Sequence, residues 1–183
     1  MILRRRWVRR VLVLGGARSG KSHFAERSLA GAASVTYVAC GSRPDGRDPE
    51  WDERVLIHQQ RRPASWHTHE TQDLVAVLQP DPAPALIDCL STWLATAMDD
   101  CGIWSDEPAA DGQLAARVDA VVTAWGSSSR HVVAVSNEVG SGVVPATPSG
   151  RRYRDELGVL NARIAALSDE VWLVVAGIPQ RLK

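Results

Sequence analysis

Lys21 and Ser22 end the run Gly15-Gly16-Ala17-Arg18-Ser19-Gly20-Lys21-Ser22, which has the GxxxxGK[ST] spacing of a phosphate loop. An apolar stretch, Val11-Leu12-Val13-Leu14, stands before it, and a helix-like stretch from His23 to Ala30 follows. Glycines in such a loop permit positive φ, so that successive backbone N–H groups converge on a phosphate. Lys21 is placed to reach the β- and γ-phosphates and Ser22 to ligate Mg2+, while the helix start turns its positive end toward the anion. The run specifies a nucleoside triphosphate without specifying what is transferred from it.

Two further groups bear on the transfer. Asp88 closes the apolar run Leu86-Ile87-Asp88, and a carboxylate at a strand end beside a phosphate loop holds magnesium directly or through water. Chance placement of an Asp at a strand end is the plainer alternative. His58 lies in a stretch framed by Pro49 and Pro63, which predicts a helix of about four turns over 49–62. Trp51, Val55 and His58 fall at i, i+4 and i+7, so the histidine shares a face with apolar anchors. Arg54 stands one turn before it, and Arg61 and Arg62 one turn after. These cations favour neutral imidazole, the nucleophilic form, and suit bidentate contacts to phosphate oxygens. Spacing alone leaves the role of His58 open, because a hydrogen-bonded helix residue or a plain phosphate contact is the simpler account of an isolated histidine. His67 and His69 have an i, i+2 spacing that suits a metal only on a strand, and no third ligand is evident. His23 and His131 read as structural.

The elements that must position these groups alternate along the chain. Apolar runs at 11–14, 35–39, 85–89, 131–136 and 171–176 read as parallel strands covered on both faces. Helical stretches are predicted at 21–31, 49–62, 71–79, 91–99, 113–126 and 150–168, and flexible ones at 41–48, 100–112 and 139–150. The expectation is an α/β fold: one three-layer domain of the phosphate-loop nucleoside triphosphatase type, with a mostly parallel central sheet and ligands beyond the carboxyl ends of its strands. The domain spans 11–183. Residues 1–10, with five arginines, form a basic extension ahead of it, and the apolar run that follows is the first strand rather than the core of a signal peptide.

At 183 residues the chain suits one domain with a full core. Lys plus Arg and Asp plus Glu are 21 each, so no overall field points to nucleic acid or to a membrane surface. No apolar run reaches the about 18 residues of a membrane span. Three cysteines without a CxxC pair suit a reduced, cytoplasmic protein.

Several blocks together carry a resemblance: the phosphate loop at 15–22; Tyr37-Val38-Ala39; Arg54-Val55-x-x-His58 with Arg62-Pro63 following; Asn137-Glu138-Val139-Gly140-x-Gly142-Val143-Val144-Pro145; Tyr153-Arg154-Asp155-x-x-Gly158-x-x-Asn161; and the run from Glu170 to Pro179. In this order they resemble the bifunctional adenosylcobinamide kinase / adenosylcobinamide-phosphate guanylyltransferase family of cobalamin biosynthesis, from residue 11 to about 178. The resemblance implies that ATP or GTP phosphorylates adenosylcobinamide. GMP is then transferred from GTP to adenosylcobinamide phosphate through a guanylylated histidine, which it places at His58. It implies nucleotide contacts at Ala39, Cys40, Gly41, Gln59, Gln60, Arg61, Arg62, Glu70 and Asp88, Mg2+ as cofactor, and a homo-oligomer, a homotrimer in particular.

Cys40 stands where the family commonly has Thr, and Ala162 where it has Gln, which puts fine substrate preference in question. Glu138 could orient a hydroxyl or a magnesium-bound water, or only shape its loop, and residues 151–155 could meet phosphate or corrin amides. Two other functions fit the phosphate loop. One is a small-molecule kinase with no covalent intermediate, in which His58 is a contact; the other is a nucleotide-binding switch module.

Overall fold

The computed structural model describes residues 10–41, 46–105 and 108–183, without the side chains of Trp51 and Arg54. Residues 1–9 of the basic extension therefore lie outside the described residues, as do parts of the stretches 41–48 and 100–112. In chain order the elements are β1 (Arg10–Gly15), α1 (Lys21–Ser28), β2 (Val35–Ala39), α2 (Pro49–Gln60), β3 (Trp66–Glu70), α3 (Leu74–Val77) and β4 (Ala85–Asp88). There follow α4 (Leu90–Asp100), α5 (Ala110–Ser127), β5 (Val132–Asn137), α6 (Pro148–Leu167), β6 (Glu170–Val175) and β7 (Ile178–Arg181).

Seven strands form one sheet in the order β3-β2-β4-β5-β1-β6-β7, with every pairing parallel except the antiparallel β6–β7 pair. Side chains alternate across the pleat, so each inner strand feeds two cores. Leu12, Val38, Ile87 and Ala134 enter the larger one, packed with α3, α4, α5 and α6. Val13, Tyr37, Leu86 and Val133 enter the smaller one, with Ala25 and Leu29. Burial on both faces is what makes parallel inner strands apolar throughout.

The edge strands lack that signature. In β3 only Trp66 is buried, and all four residues of β7 are exposed, so neither strand is evident as an apolar run. His67 and His69 do stand on a strand, but both are exposed, and no group of three or more His, Cys, Asp or Glu able to hold a metal occurs among the described residues. Arg10 belongs to the sheet rather than to the extension: it opens β1, opposite Val132, and its guanidinium lies 3.1 Å from Asp169. The helix expected at 71–79 is a single turn at Leu74–Val77, started by the Asp73 side chain, which accepts from the Ala76 amide at 2.9 Å.

The register brings the strand ends into line. Ala39 lies opposite Glu70 on one side and Asp88 on the other, and Gly15 lies opposite Asn137. The phosphate loop, the end of β2, Glu70 and Asp88 thus share the carboxyl edge, where open α/β sheets bind ligands.

Candidate active site at the carboxyl edge of the sheet

Each part of the phosphate loop is held from outside. Gly15 has no room for a side chain: a Cβ would lie 2.4 Å from Ser19 Oγ and 2.7 Å from the Val174 carbonyl oxygen. The Gly15 carbonyl accepts from the Glu138 amide at 3.0 Å, and the Ser19 carbonyl from the Gly177 amide at 2.8 Å. Arg18 and Gly20 take positive φ, 56° and 92°, which turns the chain into α1. No side chain caps the start of α1, which leaves its first N–H groups for an anion. Ser19 Oγ is buried with no hydrogen-bond partner among the described residues, a further donor for phosphate. Lys21 is 4 % exposed, with Nζ 3.1 Å from the Gly16 carbonyl. Gly15→Ala is expected to destabilise the fold by about 1–3 kcal/mol through overpacking against β6, measured by denaturant unfolding.

A cavity of about 430 Å3 opens over this loop, and Arg18, Lys21, Ser22, His58 and Arg61 are among its lining residues. His58 reaches it from α2, on the side of the sheet that carries α1. Its Nδ1 lies 3.1 Å from Asp88 Oδ2 and 3.3 Å from the Tyr37 hydroxyl. That hydroxyl donates to the same Asp88 oxygen at 2.5 Å. With the phenol proton committed to the carboxylate, the neutral imidazole donates Nδ1–H to Asp88 as well, and its Nε2 lone pair has no hydrogen-bond partner among the described side chains. Asp88 Oδ1 accepts from Ser22 Oγ at 3.4 Å.

Among the described side chains, the groups bonded to the imidazole are a carboxylate and a phenol, and of the arginines expected beside it Arg61 lines the same cavity while the Arg54 side chain lies outside the described residues. Burial alone would raise the Asp88 carboxyl, but the hydrogen bond from His58 and its charge when protonated, the Tyr37 hydrogen bond and the Lys21 charge outweigh it and hold the group below its ordinary value. Burial, with the Asp88 charge, raises the Tyr37 phenol and keeps it a donor.

The two arginines after His58 diverge. Arg61 turns back over the loop to Glu26, at 3.4 Å. Burial raises the Glu26 carboxyl, and the Arg61 charge opposes the rise. Arg62 turns the other way, stacks 3.4 Å from the Tyr37 ring centroid and donates to Thr68 Oγ1 at 2.9 Å. It lines a second cavity of about 630 Å3 with Gln59, Trp66, Thr68, His69 and Glu70. Helix α2 thus separates a phosphate-side cavity from one that ends in a carboxylate, and Gln60 lines neither.

Ala39 and Gly41 flank a cysteine whose thiol faces away. Cys40 is fully buried in the larger core, its amide 3.5 Å from the Asp88 carbonyl and its carbonyl accepting from the Gln72 side chain, so its thiol is not placed for a ligand. Replacement of a threonine hydroxyl there is a matter of core packing. Ala162 is exposed on α6, whereas Asn161 beside it donates to the Asn137 carbonyl at 3.0 Å. Glu138 accepts from the Gly140 and Ser141 amides at 2.9 and 3.3 Å and so closes its own loop. Arg151 donates to the Pro145 and Ala146 carbonyls, and the Tyr153 hydroxyl to the Ser91 carbonyl. Tyr37 is the member of this hydrogen-bonded cluster that spacing does not point to. Its only signal was membership of the Tyr37-Val38-Ala39 block.

Ser22, which lines the cavity, has its Oγ 3.4 Å from Asp88 Oδ1, and these two hard oxygen donors suit Mg2+ completed by phosphate oxygens and water.

The family described as cobinamide kinase / cobinamide phosphate guanyltransferase matches residues 11–182. The chain belongs to this family. It is 38% identical over 179 residues to the bifunctional adenosylcobalamin biosynthesis protein CobP of Pseudomonas aeruginosa, covering 95% of this chain and 97% of that protein. It is 36% identical to the proteins named CobU of Salmonella typhimurium and Escherichia coli, over 184 and 182 residues, in each case 94% of this chain and 99% of the relative. Among solved structures, an ATPase of the type III secretion system of pathogenic bacteria superposes with a TM-score of 0.53 at 14% identity, over 90% of this chain and 50% of that one. That likeness shows the fold alone and says nothing of the substrate.

Proposed function

We propose that this chain carries out the two transfers for which its family is named at one phosphate loop, with His58 as the covalent carrier of GMP. In the first, the loop amides and Lys21 hold the distal phosphates of ATP or GTP while the hydroxyl of adenosylcobinamide attacks the γ-phosphorus; the new P–O bond forms as the bond to the leaving nucleoside diphosphate breaks, and the hydroxyl proton is released to water. In the second, His58 Nε2 attacks the α-phosphorus of GTP. The N–P bond forms as the P–O bond to pyrophosphate breaks, and adenosylcobinamide phosphate then takes the GMP to give adenosylcobinamide-GDP.

Positive charge that develops on the imidazole falls against Asp88 at Nδ1, which also fixes the ring orientation. Lys21 and the loop amides stabilise charge on the phosphoryl oxygens. Ser22 and Asp88 would hold Mg2+, which supplies charge neutralisation at the phosphates. Gln59, Arg62 and Glu70, grouped in the second cavity, together with Ala39, Gly41, Gln60 and Arg61, are assigned to the nucleotide.

The observation that carries this reading is the Asp88–His58 contact beside the phosphate loop: it commits Nδ1, and among the described side chains nothing bonds Nε2. It favours a nucleophile over a plain phosphate contact, for which an imidazole would present a proton to the anion. The test uses adenosylcobinamide, Mg2+ and GTP labelled separately at the α- and γ-phosphorus. Both labels should reach the corrinoid product; γ-label alone would leave only the kinase. A single domain whose first strand opens at Arg10, behind a basic extension, a cytoplasmic location and a homotrimer belong to the same proposal. Light scattering on the full chain should return three times the 19.9 kDa chain mass. No helix among the described residues is long and apolar enough to cross a membrane.

A further inference from the structure

Tyr37 is 2 % exposed, near the middle of β2, and its side chain points to the face that carries α1 and α2. Pairing of β2 with β4 sets Ala39 opposite Asp88, so a tyrosine two residues earlier on the same face is directed along the sheet toward that carboxylate. Its hydroxyl donates to Asp88 Oδ2 at 2.5 Å and lies 3.3 Å from His58 Nδ1. The Arg62 guanidinium covers one face of the ring at 3.4 Å. The phenol is therefore fixed by the strand, the stacked cation and the carboxylate.

Asp88 has two oxygens with different neighbours. Oδ1 faces the Ser22 hydroxyl of the phosphate loop, and Oδ2 faces His58. A carboxylate turns readily about its last torsion, which is a broad, roughly two-fold well. Either oxygen could therefore turn toward Ser22 or toward His58. The Tyr37 hydroxyl holds one oxygen on the histidine side.

We propose that Tyr37 is a positioning residue for guanylyl transfer, dedicating one Asp88 oxygen to His58 while the other serves the phosphate loop. The inference rests on His58 being the GMP acceptor. It assigns the two transfers to separate oxygens of one carboxylate, and it makes Tyr37 matter more to one transfer than to the other.

Tyr37→Phe removes one oxygen and keeps the ring under Arg62. On one preparation, the rate at which α-labelled GTP modifies the protein is compared with the rate at which γ-labelled GTP phosphorylates adenosylcobinamide. Loss of a group that orients a reactive side chain costs about 10- to 100-fold. Protein labelling should therefore slow about tenfold or more at saturating GTP, with the half-saturating GTP concentration changed less than about threefold, and its loss should exceed the loss in phosphorylation by about tenfold. Any unfolded fraction lowers both rates together, so their ratio decides. Equal slowing of the two rates, or unchanged labelling, overturns the role of Tyr37. His58→Ala is run beside it: if wild type is unlabelled, or that variant still labels, the acceptor assignment itself fails. If those controls behave and only Tyr37→Phe is normal, the positioning role alone fails.

Discussion

Lys21→Ala is expected to depress phosphorylation of adenosylcobinamide and guanylylation of the protein together, each by about 10²- to 10³-fold, the scale of losing one preorganised donor to a developing phosphoryl charge. Both reactions draw on the same cation. Lys21 is buried under the loop, its Nζ against the Gly16 carbonyl, in the cavity that His58 also lines. A γ-phosphate presented to an alcohol and a β,γ-pyrophosphate leaving from GTP both put negative charge there. Its charge also helps hold Asp88 ionised, so its loss weakens the partner of His58 as well. Rates of both half-reactions at saturating nucleotide, with a thermal melt to confirm folding, make the comparison. Loss of one activity alone would mean that the transfers use different anchors.

His58→Ala should separate them. Guanylyl transfer falls to background, a loss of up to about 10⁶-fold when a nucleophile is removed, while phosphorylation falls by less than about tenfold because no atom of His58 enters that step. Asp88 keeps the Tyr37 hydroxyl on Oδ2 and the Ser22 hydroxyl on Oδ1 after the imidazole is gone. The carboxylate is therefore not left buried without partners, and the fold should survive. A small-molecule kinase without a covalent intermediate would show no selective loss.

The site was partly legible in the chain because some of its parts are local. A phosphate loop is eight consecutive residues whose geometry follows from glycine and the next helix, and the inner strands announce themselves by burial on both faces. Asp88 is legible as the end of an apolar strand, whereas Glu70 enters only as a nucleotide contact that the resemblance implies; the register sets each opposite Ala39.

What helical spacing could not convey was direction. Arg61 and Arg62 are adjacent in sequence, about 100° apart around a helix, and the chain leaves α2 at Gln60; one goes to Glu26 and the other to Tyr37. Neighbours of His58 come from β2 and β4, 21 and 30 residues away in sequence, and no period within α2 carries that information. Tyr37 reads as one more β-forming residue until β4 is paired beside it. Strands β3 and β7 stayed hidden because an exposed edge has no need of an apolar run.

The central claim is tested most directly by asking where GMP goes when no corrinoid is present. The full chain is incubated with GTP and Mg2+, denatured, kept alkaline to preserve a phosphoramidate, digested and read by mass spectrometry. The account predicts one GMP on the peptide that contains His58, lost on mild acid treatment and absent in His58→Ala. An unmodified His58 peptide, or GMP attached to another residue, would contradict it.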